Sequence, residues 1–300
     1  MDSQLLKKLQ YKIKSTIKDH QIKKRLELLR KDILEYYRDR AITDEEIKTI
    51  LNYLKNHPLE NLLKPDHRPH KKYLKKEARF IFDPVYGMPY VDHEGKKLYF
   101  PQKITLKTQK KMYLDLVEEQ LPDSPHCYVT PDFSVNEGDV LFDVGSAEAN
   151  FALSNIEKAS RVVLFEASET WIKPLKATFA PWKDKITIVP KYVSNFNNSS
   201  TITIDAFVKE YGSRFIPDFV KMDVEGAEMD VLNGMKECLV EHKPKLAVTT
   251  YHKKNDFEEI SYFLSNLGFN IRASTGVTLI NEDGLSVPYF RKALIRASVK

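Results

Sequence analysis

From about residue 138 the chain repeats one pattern, a short apolar run, a break, a helical stretch and then another run. The runs are "DVLFDVG", "RVVLFE", "KITIVP", "PDFVKMDV", "KLAVTT" and "GFNIRA". Runs this short, rich in Val, Ile and Phe and separated by helical lengths of chain, predict an α/β fold with a doubly wound, largely parallel sheet. The final stretch, "PYFRKALIRASV", follows an extended run at 276–281 with no helix between them. It therefore predicts an antiparallel last strand.

The N-terminal part obeys a different rule. Leu5, Leu9, Ile13 and Ile17, then Ile22, Leu26, Leu29 and Ile33, recur at helical spacing with lysines between them. "TDEEIKTILNYLKNHP" predicts a second helix, with Thr43 as cap, Glu46 completing a capping box and His57-Pro58 as the stop. A Pro- and Lys-rich connector covers 64–80. "MPYVDHEGKKLYF" then predicts a hairpin about Glu94-Gly95, followed by a helix over about 104–120. Residues 1–80 hold 21 Lys and Arg against 12 Asp and Glu, a balance of +9 within a chain of net charge +5. The division expected is a basic helical region at 1–80, a hairpin and helix serving as cap or linker at 81–125, and a core at 126–300. The basic helices are solvated faces or a surface for self-association.

Two cysteines far apart, Cys127 and Cys238, make neither a disulfide framework nor a zinc site, and a reducing, cytoplasmic setting is expected. No apolar stretch approaches the roughly 18 residues of a membrane span, and the first residues lack the apolar core of a leader. Nucleic acid is not expected as a partner, because no basic groove interleaved with aromatics is visible.

In a doubly wound sheet the ligand sits beyond the carboxyl ends of the strands. Three ends carry chemistry. In "DVGSAEANFAL" Asp143 closes the first strand, Gly145 permits a tight turn, and Ser146 and Ala147 let a ligand approach the backbone. One glycine and the acidic Glu148 suit a ligand with a cationic amine better than a pyrophosphate. Glu166 closes the second strand and is placed to accept the hydroxyls of a ribose. Asp223 ends the fourth, where the ligand crevice lies, with Glu225 and Glu228 behind it.

The segments "LFDVGSAEANFAL", "VVLFEAS", "TIDAFV" and "PDFVKMDVEGAEMDVLNG" closely resemble the FkbM-type methyltransferase family over about 120–300. Two positions depart from the family: Ala149 stands at its second glycine, and Ala167-Ser168 replaces its proline. The resemblance implies a Rossmann-like class I methyltransferase fold. It implies S-adenosylmethionine as cofactor and a hydroxyl of a sugar, glycan or small natural product as acceptor. Carried onto this chain, it places the methionine end of the cofactor at Asp143, Gly145, Ser146 and Ala147, and the ribose at Glu166 and Ala167. The adenine falls near Val193 and Ser194, and Asp223 lines the wall between cofactor and acceptor. The pair Tyr251-His252 in "TTYHKKNDFEEI" also looks like a family feature. His252 is then the first candidate base and Asp223 the second, with His126 and Glu225 as acceptor contacts. Asp223, Glu225 and His252 could converge on a metal, but their spacing fits no ligand motif, so no metal ligand is assigned and whether a metal assists stays open. Two rival readings are a cofactor-binding scaffold without catalysis and a nicotinamide-dependent oxidoreductase.

Overall fold

The computed structural model describes residues 21, 23–59, 62–63, 78–278 and 289–299. The predicted turns carrying Leu5, Leu9, Ile13, Ile17 and Ile22 lie outside these residues, as does most of the connector. Residues 23–37 form helix α1, and Glu45–Leu54 form α2. The cap of α2 is Asp44, one residue later than the expected Thr43; its carboxylate accepts from the N–H groups of Glu46 and Ile47 at 2.8 and 3.2 Å. Glu46 leaves the expected capping box to pair with Lys292 from the far end of the chain. An ion pair to a distant lysine outcompetes the local bond, a choice sequence spacing cannot show. Ile33, Ile50, Leu51 and Leu54 bury their apolar faces against Val277 and Phe290, which fixes the two helices to the C-terminal part of the fold.

The hairpin forms as predicted, with strands Met88–His93 and Lys96–Tyr99 in antiparallel register. Glu94 and Gly95 have φ of 55° and 81°, the pair of positive values that a two-residue turn of this hand requires. A third strand, Phe80–Asp83, pairs with the first. Helix α3 spans Leu106–Glu119.

The main sheet has seven strands, numbered here in chain order: β1 (Val140–Val144), β2 (Arg161–Phe165), β3 (Ile186–Val189), β4 (Phe219–Met222), β5 (Lys245–Thr249), β6 (Asn270–Ala273) and β7 (Leu294–Ser298). Their spatial order is β3-β2-β1-β4-β5-β7-β6. Strands β1 to β5 pair in parallel. The last strand is antiparallel as expected, and it inserts between β5 and β6, pairing with both. Parallel strands must be covered on both faces. Phe142, Val144 and Phe165 meet Phe207 of α5 (Ile204–Tyr211) and Leu232 of α6 (Glu228–Asn233) on one side, with Leu264 of α7 (Asp256–Asn266). Leu141, Leu164 and Phe219 meet Phe151 and Leu153 of α4 (Asn150–Asn155), with Leu98 and Phe100 of the hairpin, on the other. Each such buried side chain contributes about 1.5–3 kcal/mol. Together these layers form a mixed α/β, Rossmann-like fold, with the carboxyl ends of β1, β2, β4 and β5 gathered on one edge.

Candidate functional site

A cavity of about 570 Å³ opens at those strand ends, within the range that encloses a small organic ligand. A second cavity of about 760 Å³ lies between the hairpin, α3 and α4 and shares the wall at Gln120 and Phe151. The smaller one sits where the chemistry is.

Its floor begins at β1. Asp143 and Lys221 are register partners on adjacent parallel strands, so their side chains leave the same face side by side. Both are buried, and Lys221 Nζ lies 3.0 Å from Asp143 Oδ1 while donating to the Gly145 carbonyl at 2.8 Å. The contact with Asp143 is an ion pair out of line for a hydrogen bond, since both Asp143 oxygens lack hydrogen-bond partners. Burial opposes the Lys221 charge, and Asp143 and Asp223 outweigh it, holding its pKa above the usual lysine value.

Gly145 turns the chain with φ of 73°. A Cβ here would stand 1.9 Å from the Asp223 carbonyl oxygen, so no other residue fits without moving β4. Gly145 and Ser146 N–H both donate to the Phe165 carbonyl, at 3.0 and 3.1 Å. Ala147 and Ala149 follow with φ of 43° and 56°, left-handed values that cost an alanine about 1–2 kcal/mol. The site Ala149 occupies, held by glycine in the resembled family, is one where glycine would be unstrained. Ser146 Oγ is buried without a partner.

Glu166 closes β2 with both oxygens engaged: Oε2 accepts from Ala147 N–H at 2.8 Å and Oε1 from Ser168 N–H at 2.6 Å. Each oxygen keeps a lone pair for another donor. Ala167, Val193 and Ser194 complete this side of the wall. Glu148 also faces the cavity, and burial pushes its carboxyl up to about 7.

The opposite side is built from four distant segments. Asp223 follows β4, and its Oδ2 accepts from the Tyr128 hydroxyl at 2.9 Å. His126 Nε2 lies 3.5 Å from the same oxygen and 3.2 Å from the Tyr251 hydroxyl. His126 Nδ1 is 3.9 Å from Glu119 Oε2 and has no hydrogen-bond partner. Burial disfavours a charge on His126, while Asp223 and Glu119 favour it and leave its pKa raised. Burial likewise raises Asp223, and His126 and Lys221 outweigh it, so this carboxyl sits well below the usual range.

The predicted residues therefore fall into two groups. Asp143, Gly145, Ser146, Ala147, Glu166, Ala167, Val193, Ser194 and Asp223, with His126 and Glu225, all line the one cavity. His252 does not. Its Nδ1 bonds Glu228 Oε1 at 2.8 Å, beside the cavity rather than on its wall. Lys221, Tyr128, Tyr251 and Glu119 are on the wall and were not among the predicted site residues. Lys221 did carry a signal, a lysine in the middle of the buried run "FVKMDV". The trio Asp223, Glu228 and His252 offers ligand atoms within 4.8 Å of one another.

Residues 148–271 match the family model described as the methyltransferase FkbM domain. Among solved structures, the chain is similar to the methyltransferase FkbM of Methylobacillus flagellatus KT at 20% identity, over 54% of this chain and 44% of that one, with a TM-score of 0.43. It thus spans less than half of that relative's length. It is also similar to the precorrin-6y C5,15-methyltransferase of Geobacter metallireducens GS-15 at 13% identity, over 66% and 93% of the two chains, with a TM-score of 0.38. The C-terminal domain of the enzyme of that name from Rhodobacter capsulatus gives 10% identity, 67% and 93% coverage and a TM-score of 0.39. No curated protein sequence matches the chain.

Proposed function

We propose that this chain, with its methyltransferase FkbM domain at residues 148–271, uses S-adenosylmethionine to methylate a hydroxyl of a sugar, glycan or small natural product. One observation carries the reading. Asp143, Glu148, Glu166 and Asp223 face a single cavity, and the buried Lys221 is already occupied by Asp143 and the Gly145 carbonyl. Such a wall attracts a ligand bearing an ammonium and a sulfonium and repels a pyrophosphate, which disfavours a nicotinamide dinucleotide.

The residues fit that cofactor. Glu166, fixed by two backbone N–H groups, accepts from the ribose hydroxyls. The unpartnered Asp143 Oδ2 and Ser146 Oγ meet the amino-acid end. When bound, the cofactor supplies a methyl group already activated by its sulfonium. The chain's task is then to hold an acceptor oxygen in line with it. Asp223, Tyr128, Tyr251 and His126 form a corner of hydrogen-bonding groups. In our reading Asp223 accepts from the acceptor hydroxyl and aims its oxygen, while the two tyrosine rings suit the C–H faces of a sugar. His252 acts from behind Asp223. Cys127 and Cys238, both free and buried, support a reducing, cytoplasmic setting.

The test is incubation with methyl-deuterated S-adenosylmethionine and a panel of glycans and hydroxylated natural products, followed by mass spectrometry. A labelled methyl on an acceptor oxygen is expected. Label on nitrogen, or a labelled product that forms equally without the protein, would refute the reading.

A further inference from the structure

We propose that Asp223, Glu225 and His252 bind one divalent cation beside the cavity, with Glu228 orienting the histidine. The parallel pairing of Met222 with Val248 brings the loop after β4 against the residues after β5. Glu228 lies at the centre of that contact and is fully buried. Its Oε1 accepts from Val224 N–H at 3.2 Å and Thr249 Oγ at 3.1 Å, and lies 2.8 Å from His252 Nδ1. A carboxylate bonded in this way only accepts, so Nδ1 carries the hydrogen, and a cation can take the lone pair that Nε2 presents in the neutral ring.

That lone pair has no hydrogen-bond partner, although the His252 side chain is only 9% exposed. It lies beside two carboxylates, with Asp223 Oδ1 at 3.6 Å and Glu225 Oε2 at 3.4 Å. Two carboxylates beside one imidazole lone pair repel it unless a positive centre lies between them. Both separations are long for a proton-bridged N–H···O contact. They lie at or just beyond the upper end of the spacing of two ligands held about 2.1 Å from a common cation, roughly 3.0–3.5 Å. A buried carboxylate behind the imidazole is also the usual support for a metal-bound histidine. One nitrogen and two carboxylate oxygens, with further positions open to water or an acceptor oxygen, suit Mn²⁺ or Zn²⁺ better than Mg²⁺ or Ca²⁺. Glu225, 87% exposed, gives the ion a path from solvent.

The cation site stands whether or not the cavity takes S-adenosylmethionine. Its use rests on the reading above: a cation here would bind the acceptor oxygen beside Asp223 and make its hydroxyl more acidic. The test is an electron paramagnetic resonance titration of the full chain with Mn²⁺, where binding removes the signal of the free ion. We expect one equivalent to bind and Zn²⁺ to displace it. Glu225→Gln, a change at an exposed side chain, should weaken binding about tenfold, and His252→Ala by about 10–100-fold. S-adenosylhomocysteine affinity, measured by calorimetry on His252→Ala, should stay within twofold and so vouch for its fold. Absence of saturable binding to the wild type, the result expected if a proton occupies Nε2 instead, overturns the proposal. Equal binding by wild type and both variants overturns it as well. A protein that binds Mn²⁺ but not S-adenosylhomocysteine keeps the cation site and loses the cofactor reading.

Discussion

The two sides of the cavity are made in different ways. On the side of β1 and β2 each functional residue closes its own strand or lies in the loop just after it: Asp143, Gly145 and Ser146 at β1, Glu166 and Ala167 at β2. On the side of β4 and β5 one carboxylate, Asp223, is surrounded by His126 and Tyr128 from before β1 and by Tyr251 from after β5. The first side is local structure and tolerates little change in the backbone. The second is a network of side chains joined across about half the chain, and it depends on every partner staying in place.

Substitutions at the seam should be the most damaging. Lys221→Met removes the buried ammonium that Asp143 and Asp223 share, leaving uncompensated charge. It should cost about 3–5 kcal/mol in urea unfolding, and a loss under 1 kcal/mol would show that the two sides are not joined there. Gly145→Ala drives a methyl into the Asp223 carbonyl. It should cost about 2–4 kcal/mol in the same measurement and abolish cofactor binding.

Other changes should separate the sides. Glu166→Ala should weaken S-adenosylhomocysteine binding by about 1–3 kcal/mol, about a 5–150-fold change by calorimetry, while leaving Mn²⁺ binding intact. Glu148 gives a pH signature. Its pKa rises on folding to about 7 from 4.5, so the stability it contributes to the ligand-free chain is present at low pH and lost as pH rises through 7. A cationic ligand behaves oppositely, since the ionised carboxylate attracts it. Affinity should therefore increase several-fold from pH 6 to 8, and Glu148→Gln should flatten both trends. The smallest effect is expected for Ala147→Gly, which relieves a left-handed φ of 43°. Thermal unfolding should show a gain below about 1 kcal/mol.

The same contrast explains what the sequence could show. Alternating apolar runs and helices fix which end of each strand is the ligand edge, so Asp143, Glu166 and Asp223 were legible from position alone. Spatial order was less so. Nothing in "PYFRKALIRASV" says that β7 enters between β5 and β6 rather than at the rim. Side-chain direction was the other gap. Tyr251 and His252 are adjacent beyond the same strand end with ring centroids 4.2 Å apart, yet Tyr251 lines the cavity while His252 bonds Glu228. Tyr128 and Glu119 carried no local signal, because their roles arise only when the segment before β1 folds over the edge of the sheet.

The most direct test of the cavity's assignment is a calorimetric titration of the purified chain with S-adenosylhomocysteine, run beside an identical titration with NAD. Micromolar binding of the first, with no heat from the second, is the predicted result. Binding of NAD, or no binding of S-adenosylhomocysteine, would contradict it.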